Sequence, residues 1–535
     1  MQVDRILIGG NILTMDRNQP RASALAISGQ TLVAVGTDEE ILELRQAETE
    51  VVDLCGQTVI PGLNDSHMHL QTVGAGLERV PLAGARSREE IVALGRQFLT
   101  DHPEAQWLLG WGWNHEHFAD RQMPTRYDLD QITTERPILF SRACGHIVAA
   151  NSLALELSGI GQNPEQPAGG LIDVDEQGVP TGILRECRGL ITQHIPAEAV
   201  ADYKRTLQAA AHLAASYGLT GVQTDDIGED MEHKLQAYSE LVAEGNLPIR
   251  VNLQVRIARM DVFARYLELR ERYQFPEGTV EYGPVKLMTD GSLGGRTAAM
   301  REPYADDPTT SGVAVLTQAQ INELLSAAHS HGFQMAGHAI GDRAMDLLLN
   351  GFEQALGERS AVDARPRIIH AQITTPDILQ RIQRMGVVCD IQPGFVGTDL
   401  HMVENRIGKE RMQSTYAWRT MREMGIPTAG GSDSPVESCN PLIGIEMAVT
   451  RQDLNGFPEG GWLPGERLSV EEAIELYTMG SAYATFHEGR QGSLTTGKYA
   501  DFVVLSQDIT QVSPADIHRI PVAATYVGGR AVYQA

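Results

Sequence analysis

The sequence predicts an α/β protein: a (β/α)8 TIM barrel with a small flanking β-sandwich and a large insertion after the first barrel strand. Three observations predict it. From about residue 200 onward, short apolar strand patterns alternate with helical ones; short alternating strands fill residues 1–58 and 486–535; and residues 71–200 follow neither pattern.

In residues 1–58, "RILIGGNILTMD", "ASALAISGQTLVAVG" and "EVVDLCGQTVI" alternate apolar and polar positions between glycine-containing turns, the signature of an antiparallel sheet. Residues 486–535 carry the same flavour in "GSLTTGKYADFVVLSQD" and "PVAATYVGGRAVYQ", so the two segments are expected to pair in one sandwich. Residues 59–485 hold the barrel. Here "ADYKRTLQAAAHLAASYG" has helical periodicity and ends on glycine, and "LTGVQTDD" follows as a buried strand. Further strands are read in "IRVNLQVR", "VEYGPVKLMTDGS", "FQMAGHAIGD", "PRIIHAQIT", "GVVCDIQPG" and "IPTAGGSDSP"; with the strand leading into His67 they make eight. The alternation points to a barrel, although the count alone also fits an open sheet. Residues 71–200, with "WLLGWGWNHEHF" and "GGLIDVDEQGVPTGILRE", are read as an insertion on the face where barrel active sites lie, placed to serve as a lid and specificity wall.

The chain has 535 residues, more than one ordinary domain, and a net charge of −26 without a conspicuous Lys or Arg run. That argues against nucleic acid or an anionic membrane as partner. Five scattered cysteines, Cys55, Cys144, Cys187, Cys389 and Cys439, form no CxxC and suit a reducing compartment. With neither a signal-like N-terminus nor an apolar run of about 18 residues, a cytoplasmic location is expected.

Chemistry-bearing residues gather at the strand ends. "PGLNDSHMHLQ" places His67 and His69 two apart, the spacing at which a strand points both side chains to one face. By itself that pair is compatible with a plain turn. The fourth strand contains Lys286, the fifth His338, the sixth His370, and the eighth leads to Asp433. A barrel collects such positions around one point. A lysine among metal ligands makes chemical sense when CO2 converts its amine to a carbamate, whose two oxygens can bridge two cations.

The motifs "PGLNDSHMHL", "VKLMTDGSLGGRTA", "GHAIGDRA", "RIIHAQ" and "GSDSPV", in this order, resemble those of the amidohydrolase superfamily. They closely resemble its YtcJ-like branch, grouped with N-substituted formamide deformylases and proteins once labelled exoenzyme regulators. Met68, between the histidines, and Gly337, before His338, depart from the small aliphatic and aliphatic residues common there. The resemblance implies that His67, His69 and Asp433 hold one metal and that His338 and His370 hold a second, with carboxylated Lys286 bridging. Two divalent ions are implied, Zn first, with Mn or Fe accommodated. It further implies hydrolysis of a C–N bond in a small N-acyl or N-formyl amine by a metal-bound hydroxide, with Asp433 shuttling the proton. A homodimer is the expected assembly.

Other residues are read both ways. His146, Asn151, Trp113 and Arg296 are candidate substrate contacts; against this, His146 and Asn151 could form a buried polar cluster and Arg296 could orient a loop. His115 and His117 could hold a second metal, but pocket lining or packing is favoured. Two rival functions stand beside the main one. A one-metal deaminase of a heterocycle would not need Lys286; a non-catalytic sensor would be expected to have lost ligands, and all six are present.

Overall fold

The computed structural model describes residues 2–143, 146–167, 169–228, 230–357 and 363–535; Cys144 lies outside them. Eight parallel strands form one sheet in the order of the chain: β1 (Leu63–Met68), β2 (Leu219–Ile227), β3 (Arg250–Arg256), β4 (Val280–Met288), β5 (Met335–Ala339), β6 (Arg367–His370), β7 (Val388–Ile391) and β8 (Thr428–Gly430). All eight predicted strands are present, in the predicted sequence. Helices Met231–Ala243, Met260–Arg272, Gln318–Ser330, Asp342–Leu356 and Pro376–Met385 return the chain between successive strands from β2 to β7.

These strands form because they are largely buried on both faces. β6 and β7, "RIIH" and "VCDI", are buried at every position, as parallel strands covered by helices must be. The Asp342–Leu356 helix buries Ala344, Met345, Leu348, Leu349 and Phe352, spaced to make one apolar stripe. Gly337 answers a packing need: a Cβ there would lie 2.6 Å from both Leu348 methyl carbons, so the expected aliphatic residue is replaced by one with no side chain.

The sheet closes through hydrogen bonds of the residues that carry the site. The Asp433 amide donates to His67 O at 2.7 Å and the His69 amide to Ser434 O at 2.8 Å. Buried Asp65 accepts from the amides of His67 and Ser432, each at 3.0 Å. Closure of β1 against the loop after β8 thereby brings His67, His69 and Asp433 side by side.

The barrel interior departs from the usual apolar layers. Arg367 and Asp390, both fully buried, make two hydrogen bonds of 2.9 Å, and Arg367 also donates to Ser66 O at 3.1 Å. Gln254 donates to the same carbonyl at 2.8 Å. A polar floor thus lies under the strand ends.

The flanking sandwich has a six-stranded sheet in the order Arg530–Gln534, Val522–Val527, Phe502–Leu505, Thr58–Pro61, Asn11–Leu13, Arg21–Ala22. Its companion of four strands comes from residues 5–53. Leu7, Ile12, Leu25, Val59, Phe502 and Val504 fill the space between them. Gly62 separates Thr58–Pro61 from β1, and a Cβ there would sit 2.2 Å from Thr220 Oγ1. Arg250 of β3 reaches the sandwich through a two-bond pair with Asp501, at 2.7 and 2.9 Å.

Residues 74–202 form a second compact unit. It has its own six-stranded sheet, running from Leu171–Val174 through Pro180–Arg185, Ile147–Ala150, Ile138–Arg142 and Leu108–Trp113 to Val80–Pro81. Among the described residues no helix is long and apolar enough to cross a membrane.

Candidate metal centre

His67 is next to last in β1, with its ring buried. Its Nδ1 lies 2.8 Å from Gln254 Oε1, and because Gln254 spends its amide N–H on Ser66 O, that oxygen accepts and His67 Nδ1 carries the proton. His370, at the end of β6, is held the same way: Gln392 Nε2 donates to Asp390 O, and Oε1 takes the His370 Nδ1–H at 2.7 Å. Both imidazoles therefore keep Nε2 unprotonated, the form a metal requires.

His69, just past β1, places Nδ1 2.6 Å from Asp225 Oδ1 and Nε2 3.0 Å from Asp433 Oδ1. The same Asp433 oxygen is 3.2 Å from His67 Nε2. Lys286 of β4 is buried, with Nζ 2.5 Å from Asp225 Oδ2 and 3.2 Å from His67 Nε2. His338 of β5 completes the group: its ring centroid is 4.5 Å from that of His370, which is 5.6 Å from that of His67. His338 Nε2 faces Gly291 O at 3.2 Å, which turns Nδ1 the other way. All six predicted residues converge. The ligand atoms of His67, His370 and Asp433 lie within 4.8 Å of one another, as do those of His67, His69 and Asp225.

Two of these residues hold unusual backbone angles. Asp433 has φ 57° and His370 φ 82°. An aspartate tolerates the left-handed region; a histidine there costs roughly 1–3 kcal/mol and persists where its surroundings over-determine it.

The electrostatics suit a cation site. Burial alone would raise the Asp433 carboxyl, but its contacts with the His67 and His69 rings outweigh it and hold the group well below its usual range. Burial lowers His67, helped by Lys286, and lowers His370 strongly, helped by His338, so both rings are neutral. His69 goes the other way: burial opposes its charge, yet Asp225 and Asp433 raise it to about 10.

Asp225 is not among the residues the sequence predicts for the site. It stands in "QTDD" near the end of β2, and its signal was the one used for the other strands, an acidic residue at a C-terminal strand end.

The remaining candidates have other surroundings. Trp113 is not a cleft wall: it is fully buried in the core of the 74–202 unit, its indole N–H donating to Phe140 O at 2.9 Å. Asn151 is fully buried too and caps the helix Ser152–Leu157, accepting from Ala154 N and Ile138 N and donating to Thr133 O and Arg136 O. That matches the buried polar reading for Asn151, whereas His146 is exposed and paired with Glu186 at 3.0 Å. Arg296 pairs with Asp306 at 2.9 Å in the loop after β4. His115 and His117 form no ligand cluster among the described residues, and the Arg142 guanidinium donates to His115 Nδ1 at 3.3 Å.

A model of the amidohydrolase family matches residues 50–533. The chain belongs to this family. Among amidohydrolase relatives, the YtcJ protein of Bacillus subtilis (strain 168) is 36% identical over 530 residues, covering 98% of each chain. The N-substituted formamide deformylase of Arthrobacter pascens is 27% identical over 556 residues, covering 99% of this chain and 98% of its own. Of the solved structures, an uncharacterised metal-dependent hydrolase from Pyrococcus furiosus superposes with a TM-score of 0.77 at 33% identity, covering 95% of this chain and all of that one.

Proposed function

We propose that this amidohydrolase cleaves the C–N bond of a small N-acyl or N-formyl amine at a two-metal centre. The observation that carries the reading is the convergence of His67, His69, His338, His370 and Asp433 around buried Lys286 at the barrel's strand ends. Likeness to an N-substituted formamide deformylase over nearly the full length supports the substrate class. Cytoplasmic placement, a homodimer and a small-molecule substrate, with neither nucleic acid nor membrane involved, go with the same reading.

The donor set fits divalent metal. Imidazole nitrogens with carboxylate oxygen suit Zn, and Mn or Fe are accommodated. His67, His69 and Asp433 would hold one ion, His338 and His370 a second, and Lys286 as a carbamate would lie between them. Lys286 is the member whose pairing must change, since its Nζ now stands against Asp225. Bound ions would supply a nucleophilic water at neutral pH and polarise the substrate carbonyl. The protein's own part is proton traffic and alignment. Asp433, ionised at neutral pH, takes a proton from the attacking water and returns it to the departing amine. Gln254 and Gln392 keep the rings of His67 and His370 turned inward.

The test is metal content by elemental mass spectrometry after supply of metal and bicarbonate, followed by amine release from a panel of N-formyl and N-acyl amines. About two metals per chain with amine release supports the proposal. One metal per chain with ammonia released from heterocycles would replace it by the deaminase reading, and tight metal without turnover by the sensor reading.

A further inference from the structure

We propose that Asp225 is a positioning residue of the metal centre: its carboxylate stands against His69 Nδ1 and sets how that ligand is presented to the first metal position. The histidines differ in what faces Nδ1. His67 and His370 are each fixed at Nδ1 by a neutral glutamine, Gln254 and Gln392. His69 instead meets a carboxylate, at 2.6 Å. A carboxylate behind a ligating imidazole fixes its tautomer and strengthens its donor nitrogen.

The second oxygen of the same carboxylate lies 2.5 Å from Lys286 Nζ. One side chain on β2 thus meets the His69 ring just past β1 and, in the metal-free protein, Lys286 Nζ on β4. Asp225 is well placed for this because water does not reach it and its neighbour Asp226 is committed elsewhere, accepting from the Gln71 amide at 2.7 Å. Its oxygens also lie close enough to the His67 and His69 nitrogens to compete for an ion. A positioning role and direct ligation therefore make different predictions.

The inference rests on His67 and His69 being metal ligands, and its test needs no substrate. Zinc affinity is measured by competition with a chromophoric chelator on the wild type, Asp225→Asn and Asp225→Glu, with thermal unfolding of the metal-free proteins as the control on fold. Asp225→Asn is expected to bind zinc about 10–100-fold more weakly and to shift the visible absorption of the cobalt-loaded protein. Asp225→Glu, which restores the charge, is expected to recover most of the affinity. Affinity of Asp225→Asn within twofold of wild type overturns the proposal. A second measurement needs no variant: the zinc-loaded wild-type crystal structure is expected to show His69 on the metal through Nε2 with Nδ1 against Asp225. An Asp225 oxygen on the metal, or a reversed His69 ring, overturns the proposal and leaves the metal centre standing. A wild type that takes up no zinc overturns the metal-centre reading with it.

Discussion

Lys286 Nζ lies 2.5 Å from Asp225 Oδ2, and both side chains are closed to water. Replacing Lys286 by Ala leaves Asp225 a buried, uncompensated charge on that side. Loss of one partner of such a pair is expected to destabilise the metal-free protein by roughly 3–5 kcal/mol, read from the denaturant midpoint. Metal content and hydrolysis should fall with it, and unchanged values for both would remove Lys286 from the centre.

Asp433→Asn keeps the shape of the side chain and removes its proton-accepting oxygen. Its kcat/KM is expected to drop by about 10²–10⁴-fold, the range of a lost general acid or base. Steady-state kinetics on the best N-acyl amine at saturating metal would check it, and a drop below tenfold would move the proton transfer to another group.

The Arg367–Asp390 pair in the barrel floor offers a test away from the metal. Arg367→Met is expected to cost roughly 3–5 kcal/mol, because Asp390 is left charged in a dry interior. The double variant Arg367→Met with Asp390→Leu should lose less than the single one. Urea unfolding of the three proteins decides it; a double variant no more stable than the single would show that the pair is not the source of the loss.

Asp399 gives a pH signature. Burial raises its carboxyl to about 6, although Tyr416 Oη donates to it at 2.6 Å and Gln372 Nε2 at 2.5 Å. Its folded value exceeds its unfolded one, so its contribution to stability is complete below about pH 4 and is lost as pH rises through about 6. Between pH 4 and 7, Asp399→Asn should gain on the wild type by on the order of 2–3 kcal/mol in the metal-free protein. Unfolding midpoints at a series of pH values would reveal a flat difference if the carboxyl is not raised.

Much of this was readable in the sequence because buried parallel strands are written as short apolar runs, and "RIIH" or "VCDI" can be little else. The ligands were readable because each ends such a run. Asp225 escaped because β2 ends in a polar run, "QTDD", in which one of two adjacent aspartates turns to Lys286 and the other to the Gln71 amide. Trp113 misled for the opposite reason. A tryptophan-rich segment looks alike as a cleft wall and as a core, and only the pairing of Leu108–Trp113 with Ile138–Arg142 shows that this one faces inward. Gly337 depends on Leu348, a contact between strand and helix that no local pattern records.

The strand Thr58–Pro61, which leads into β1, pairs with Phe502–Leu505. Its partner is roughly 440 residues away, so at a synthesis rate of roughly 5–20 residues per second it emerges about 20–90 s later. For that interval the segment before His67 has an open edge that a nascent chain must keep from pairing elsewhere. The segment that leads into the first ligand-bearing strand is therefore among the last to be secured, and truncation within Phe502–Gln534 should loosen that segment.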